Sequence, residues 1–274
     1  MSNKIIPSLW FDNNAKEAFD FYTDVFPNSS ITKDSPIVVE ANIMGMDFIG
    51  INGGPIFQPN ATISYMPIFE SKDQLDHAWN KLLDGGQILM PLDKYPFSEH
   101  YGFIADKYGF CWQLYYGEVD NTNGQAVIPT FMFCDKQQGN CKDALKFYAD
   151  LFLDFQEQGA LEYPEGGMKG QIMHAQFVAN GVTLAAMDSG VPQNFNFNEA
   201  NSLTVTCKNQ EEIDYYWNKI TAEGSESQCG WCKDKFGISW QIVPKDISKL
   251  LKSTEANQAL MKMKKIIIAD LAQA

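Results

Sequence analysis

Residues 5–26, IIPSLWFDNNAKEAFDFYTDVF, can be laid over residues 127–152, VIPTFMFCDKQQGNCKDALKFYADLF. Each reads as an apolar strand, a polar turn and an amphipathic helix. Ala18, Phe21, Tyr22 and Val25 recur at i, i+3, i+4 and i+7, as do Ala144, Phe147, Tyr148 and Leu151, which marks one apolar helical face. A second pair of helices repeats the pattern, with Leu75, Ala78, Trp79 and Leu82 matching Ile213, Tyr216, Trp217 and Ile220. Each half then closes on DKYGFCWQL (106–114) or DKFGISWQI (234–242). Three matches in one order establish an internal duplication.

Working outward, periodicity predicts strand 5–11, helix 14–26, and strands 29–34, 37–44 and 47–52. Strand 62–69, helix 71–84 and strands 87–92, 99–105 and 110–116 follow. That is β-α-β-β-β twice in the first half, and the second half repeats it with about ten fewer residues around its sixth strand. The expected domains are 1–118 and 127–245, joined by a polar, turn-forming linker at 119–126. A tail, 246–274, carries a predicted helix over 254–271 with an apolar stripe of Ala256, Ala259, Leu260, Met263, Ile266, Ile267 and Leu271. That stripe needs a covering surface, either a partner or the protein's own.

Bulk chemistry narrows the function. The 274-residue chain has 34 acidic and 21 basic residues, a formal charge of −13. Phosphate backbones select Lys and Arg, so nucleic acid is excluded as a partner. The basic cluster Lys262, Lys264 and Lys265 reads as a solvated helix face. No window reaches the roughly 18–20 apolar residues of a membrane span, and no signal-peptide pattern opens the chain, so a cytoplasmic protein is expected. The six cysteines then read as reduced thiols. Cys229-Gly-Trp-Cys232 has redox spacing, but its segment reads as a strand, where residues three apart face opposite sides.

Several motifs carry a family resemblance. They are Ala18-Phe19-Asp20-Phe21-Tyr22, Gly85-Gly86, Tyr95-Pro96-Phe97-Ser98-Glu99, and Asp106-Lys107-Tyr108-Gly109 leading to Trp112-Gln113-Leu114. In the second half they are Ala144 through Tyr148, His174-Ala175, Cys229-Gly230-Trp231 and Asp234 through Pro244. The tail from Met261 to Ile266 matches as well. Together they resemble the PhnB-like, 3-demethylubiquinone-9 3-methyltransferase-like group of the vicinal-oxygen-chelate (glyoxalase/bleomycin resistance/dioxygenase) superfamily. The resemblance implies an α+β fold of tandem vicinal-oxygen-chelate domains. Each would hold two βαβββ units in a curved mixed sheet around a cup.

In metal-dependent relatives, His, Gln or Glu from the first and last strands of each unit hold a divalent ion. Carried onto this sequence, the positions hold Ile6 or Pro7, Thr62 or Ile63, Ile128 or Pro129, and Asn201 or Ser202, with Gln113 and Gln241 on the last strands. The three histidines are His77 on a helix, His100 in a loop and His174 on a strand. Neutral amides without charged companions make a poor divalent site, so neither metal nor cofactor is expected. A methyltransferase using S-adenosylmethionine would be expected to show a Gly-rich strand-to-helix turn. Gly53-Gly54-Pro55 has no helical pattern after it.

The primary expectation is therefore a metal-free binding protein for a small, partly aromatic molecule, acting as a monomer or homodimer. Its expected ligand-binding residues are Gln113, Glu40, His174, Gln241 and Trp231. The alternative is an enzyme, either metal-dependent (lyase, isomerase or dioxygenase type), methyltransferase-like, or metal-free with His174 as general base beside Gln241. Aligning the halves sets His174 against Glu40, which favours the second half as the functional one. Trp112 and Trp240 alternate away from the glutamines and are expected in the core. Trp10 and Trp231 are readable either way.

Overall fold

The computed structural model describes residues 5–273, in which four βαβββ units succeed one another. The first contains β1 (Ile5–Phe11), α1 (Ala15–Val25), β2 (Ser30–Asp34), β3 (Val38–Ile43) and β4 (Met46–Asn52). The second contains β5 (Ile63–Phe69), α2 (Lys72–Leu83), β6 (Gln87–Tyr95), β7 (Ser98–Ala105) and β8 (Cys111–Tyr116). In the third, β9 (Val127–Phe133) and α3 (Cys141–Leu151) precede β10 (Gln156–Glu162), β11 (Ile172–Ala179) and β12 (Val182–Asp188). In the fourth, β13 (Asn201–Cys207) and α4 (Gln210–Thr221) precede β14 (Ser225–Glu226), β15 (Trp231–Lys233) and β16 (Ser239–Pro244). The tail holds α5 (Ile247–Leu250), α6 (Thr254–Lys262) and α7 (Ile268–Gln273).

Local chemistry explains the boundaries. Ser71 caps α2 by accepting from the Gln74 amide, and Asn209 caps α4 by accepting from that of Glu212. Such caps satisfy amides that lack a partner in the first turn. Buried faces follow helical spacing: Ala15, Ala18, Phe19, Tyr22 and Val25 in α1, and Cys141, Ala144, Leu145, Tyr148 and Leu151 in α3. Phe21 and Phe147 sit half-buried at the margin of those faces.

Two eight-stranded mixed sheets result. The first has order β14-β15-β16-β13-β1-β4-β3-β2 and the second β10-β11-β12-β9-β5-β8-β7-β6. Each sheet holds two βαβββ units, but the units come from different halves of the sequence. Unit one joins unit four through the antiparallel β1–β13 seam, Ile5 opposite Val205 to Leu9 opposite Asn201. Unit two joins unit three through β5–β9, Ile63 opposite Phe131 to Pro67 opposite Val127. The spans 1–118 and 127–245 thus divide the sequence, while the sheets run across that division. A short link from β8 to β9 draws the two middle units together. Gln125 clamps it to β12 with bonds to the Thr183 carbonyl (2.7 Å) and from the Thr183 amide (2.9 Å).

The helix-bearing faces of both sheets share one core. Trp112 of β8 lies 4.6 Å (ring centroids) from Phe26, just after α1, and 6.3 Å from Phe48 of β4. Two buried aspartates fasten this core. Asp106 accepts from Tyr22 Oη (2.7 Å), Trp112 Nε1 (2.8 Å) and the amides of Tyr108 and Phe110. Asp234 accepts from Tyr148 Oη (2.9 Å), Trp240 Nε1 (3.0 Å) and the amides of Phe236 and Ile238. Each links a helix packed on one sheet to a turn of the other. Trp112 and Trp240 are core residues, as the alternation requires.

The tail departs from the predicted single helix. Between α6 and α7 the chain extends, and the carbonyls of Met263 and Lys264 accept from the amides of Cys229 and Gly230 (both 2.7 Å). Gln210 holds the same stretch at the Ile266 carbonyl and the Ile268 amide. Bonding to a sheet edge outcompetes helix continuation here. The apolar stripe packs in cis: Ile266 and Leu271 are buried with Val243, beside Ala259, Leu260 and Met263.

Candidate functional site

The faces turned away from the helices are the two cups. In the first sheet, Ile5, Leu9 and Phe11 of β1 enter the core, so Ile6, Ser8 and Trp10 face the cup. By the same alternation Ser202 and Thr204 of β13, Ser239 and Gln241 of β16, Trp231 of β15 and Glu40 of β3 share that face. The floor is polar. Ser8 Oγ and Thr204 Oγ1 are 2.7 Å apart, and Gln241 Nε2 donates to Ser202 Oγ at 3.0 Å. Aromatic rings stand beside it: Trp231 pairs with Gln241 across β15–β16, and its ring centroid lies 6.0 Å from that of Trp10. Trp10 also meets Phe57 at 5.1 Å and donates to the Gly54 carbonyl. Gly53 is required here, because a Cβ would fall 1.9 Å from the Trp10 ring.

In the second sheet the corresponding face carries Ser64, Tyr101, Phe103, Gln113, Tyr115, Thr130 and His174. Gln113 is engaged at both ends: its Nε2 donates to Ser64 Oγ (2.7 Å) and its Oε1 accepts from Tyr101 Oη (2.8 Å). Tyr95 and Phe97, from the hairpin of β6 and β7, pack edge-on against Tyr101 at 5.5 and 5.0 Å.

The expected site residues therefore divide. Glu40, Trp231 and Gln241 belong to the first cup, Gln113 and His174 to the second. A pairing of His174 with Gln241 is excluded because they lie on different sheets. The match of His174 to Glu40 is also corrected. The hairpin turns Met44-Gly45 and Asn180-Gly181 share positive φ values (49° and 88°; 49° and 70°). Counting back from them sets Glu40 against Gln176 and Val38 against His174. Glu40 is already engaged by Lys33 (2.9 Å) near the cup margin.

His174 is half-buried, and no side-chain hydrogen bond reaches its ring among the described residues. Burial lowers its pKa from the usual imidazole value, so the ring is neutral at pH 7. His100, read as a loop residue, lies in β7 with Nε2 2.6 Å from Asp76. Cys229 (φ 59°) and Gly230 (φ 86°) form a turn rather than a strand, and Cys232 is buried in β15. Burial holds the Cys232 thiol well above its usual pKa, which removes thiolate reactivity.

Neither group implied by relatives fits. Among the described residues no cluster of three or more His, Cys, Asp or Glu is placed to hold a metal ion. The cups offer hydroxyls, amides, one imidazole and carboxylates already paired to lysine, Glu40 with Lys33 and Glu199 with the cup-facing Lys233 (2.9 Å each), a weak donor set for a divalent cation. For S-adenosylmethionine, Gly53-Gly54-Pro55 runs into irregular chain up to β5, with no helix N-terminus behind it. A surface groove of about 440 Å³ between the end of α1 and the start of α2, lined by Asp24, Asn28, Asp73 and His77, lies outside both cups.

Sequence reading placed Ser202 only as one of two alternatives at a ligand position, and missed Ser8, Thr204 and Ser239 on the first floor and Tyr101 in the second cup. A signal existed, since all occupy cup-facing positions of strands whose opposite face is apolar.

A family model described as 3-demethylubiquinone-9 3-methyltransferase matches residues 3–115 and again 125–243. Among solved structures, the PhnB protein from Bacillus cereus is 32% identical, over 42% of this chain and 99% of its own, with a TM-score of 0.39. Glyoxalase I from Zea mays is 12% identical, over 90% of this chain and 95% of its own, with a TM-score of 0.59, a likeness of fold alone. Among curated proteins none matches.

Proposed function

Since the chain belongs to the 3-demethylubiquinone-9 3-methyltransferase family, with both halves matching it, we propose that it binds a small molecule in the cup of the first sheet, without a metal ion. One observation carries this reading: polar capacity on that floor is unspent. Ser239 Oγ is buried with no hydrogen-bond partner, and Gln241 Oε1 meets no donor among the described residues. Buried polar groups are ordinarily paired, so an unpaired one on a floor whose next cup-facing position joins Gln241 to Trp231 marks a place for a ligand. Ser239→Ala tests it. Without ligand, the variant should gain about 1 kcal/mol in urea denaturation, because an unsatisfied hydroxyl is removed. A ligand found by thermal-shift screening should bind it more weakly. Loss of stability with unchanged binding would end the proposal.

Two features support a monomer in the cytoplasm. Both sheet seams close within one chain, and all six cysteines are free. No helix among the described residues is long and apolar enough to cross a membrane.

The unpaired imidazole of His174 supports a second reading, an enzyme using it as general base in the second cup. Its depressed pKa sets the sign: the basic form persists to below pH 6.5, the ordinary value. Turnover should therefore fall only under more acidic conditions and vanish in His174→Gln. A pH-independent rate retained in that variant would refute this role.

A further inference from the structure

The two cups are built from equivalent units, so each reports on what the other lacks. Counting back from Asp106 and Asp234 sets Phe103 against Trp231, Gly102 against Gly230 and Tyr101 against Cys229. The registers agree, since Phe103 lies opposite Gln113 and Trp231 opposite Gln241. In the second cup the phenol of Tyr101 closes the acceptor on Gln113. The nine-residue β6 and eight-residue β7 carry that tyrosine, whereas β14 and β15 have two and three residues.

At the tyrosine's position stands Cys229, whose Sγ turns to the tail, 3.5 Å from the Leu260 carbonyl and 3.7 Å from Met261 Sδ. The tail replaces the missing hairpin backbone at Cys229 and Gly230 but brings no hydroxyl to Gln241. The first cup has the amide without the phenol that the longer hairpin supplies in the second. Aromatic neighbours persist in Trp231, Trp10 and Phe57, as Tyr95, Phe97 and Tyr115 surround Tyr101.

We infer that the first cup takes a phenolic ligand, whose O–H donates to Gln241 Oε1 where the second cup uses its own Tyr101. This rests on the binding reading above and names its ligand class. The ring would lie beside Trp231, leaving the buried Ser239 hydroxyl for a second polar substituent.

The test is calorimetric titration of the full chain with phenol, anisole and toluene, which differ little in size while only phenol donates. Phenol should bind about tenfold more tightly than either control, the worth of one buried hydrogen bond. Gln241→Met should abolish the preference, Gln241→Glu should keep it because a carboxylate also accepts, and Gln113→Met should leave it unchanged. Thermal melts establish that each variant folds. Equal affinity for all three probes, or a preference surviving Gln241→Met, overturns the phenol assignment while leaving the cup a binding site. So does a different ligand class found in the cup when phenol does not bind. If no compound of any class binds the first cup, the binding reading falls with it.

Discussion

Replacing Asp106 with Ala lowers the unfolding free energy by about 3–5 kcal/mol, and Asp234→Ala does the same, because each strands four buried donors at once. Tyr22 Oη, Trp112 Nε1 and two amides lose their acceptor in one case, and Tyr148 Oη, Trp240 Nε1 and two amides in the other. Both nodes span the two sheets, so the loss appears as global unfolding in urea rather than local fraying.

The same residues set a pH dependence. Burial pushes both carboxyls up to about 6 from 3.8, and the donors only partly pull them back. Between those values the folded protein takes up protons that the unfolded chain does not, so each group's contribution to stability grows as pH falls from 7 towards 4. The difference in stability between wild type and an Asp106→Asn, Asp234→Asn double variant should change in that direction. A difference that shrinks on acidification would mean that the donors, not burial, control these carboxyls.

Residues 1–118 produced alone should not yield a folded monomer. That fragment holds units one and two, which never pair with each other in the intact chain. It loses one flanking strand each for β1 and β5, namely β13 and β9, and with them cover over Ile5, Leu9 and Ile63, all buried in the whole protein. At about 1.5–3 kcal/mol for each large apolar side chain, their exposure alone consumes most of a typical domain's stability. Because β5 and β13 occupy equivalent places in their units, two copies can pair β1 with β5 reciprocally. Light scattering should therefore find a dimer or an unfolded chain. Mixing with 127–274 should instead give a 1:1 complex. A folded monomer of 1–118 would show that the seams are dispensable.

Much of the fold was legible because its signals are local. Alternation along residues 5–11 located β1, the i, i+3, i+4 spacing located α1 to within one residue, and the repeat placed a matching strand and helix within 127–152. The shortened sixth strand of the second half was visible by counting back from Asp234. The tail was misread because Met263 and Ile266 keep a helical apolar period while the carbonyls of Met263 and Lys264 are recruited by Cys229 and Gly230, some thirty residues away. His174 was set against Glu40 by strand pattern alone, which repeats every second residue, and only the hairpin turns fixed the register.

The sequence alone determined four βαβββ units and their duplication, since both follow from periodicities of two and 3.6. Tertiary structure decided which units share a sheet, and with that which candidate residues are neighbours at all. It also decided that Tyr101 satisfies Gln113 while Gln241 keeps an open acceptor. Those outcomes depend on contacts between segments far apart in the chain, whose pairing is chosen by packing energy summed over both sheets rather than by any local pattern.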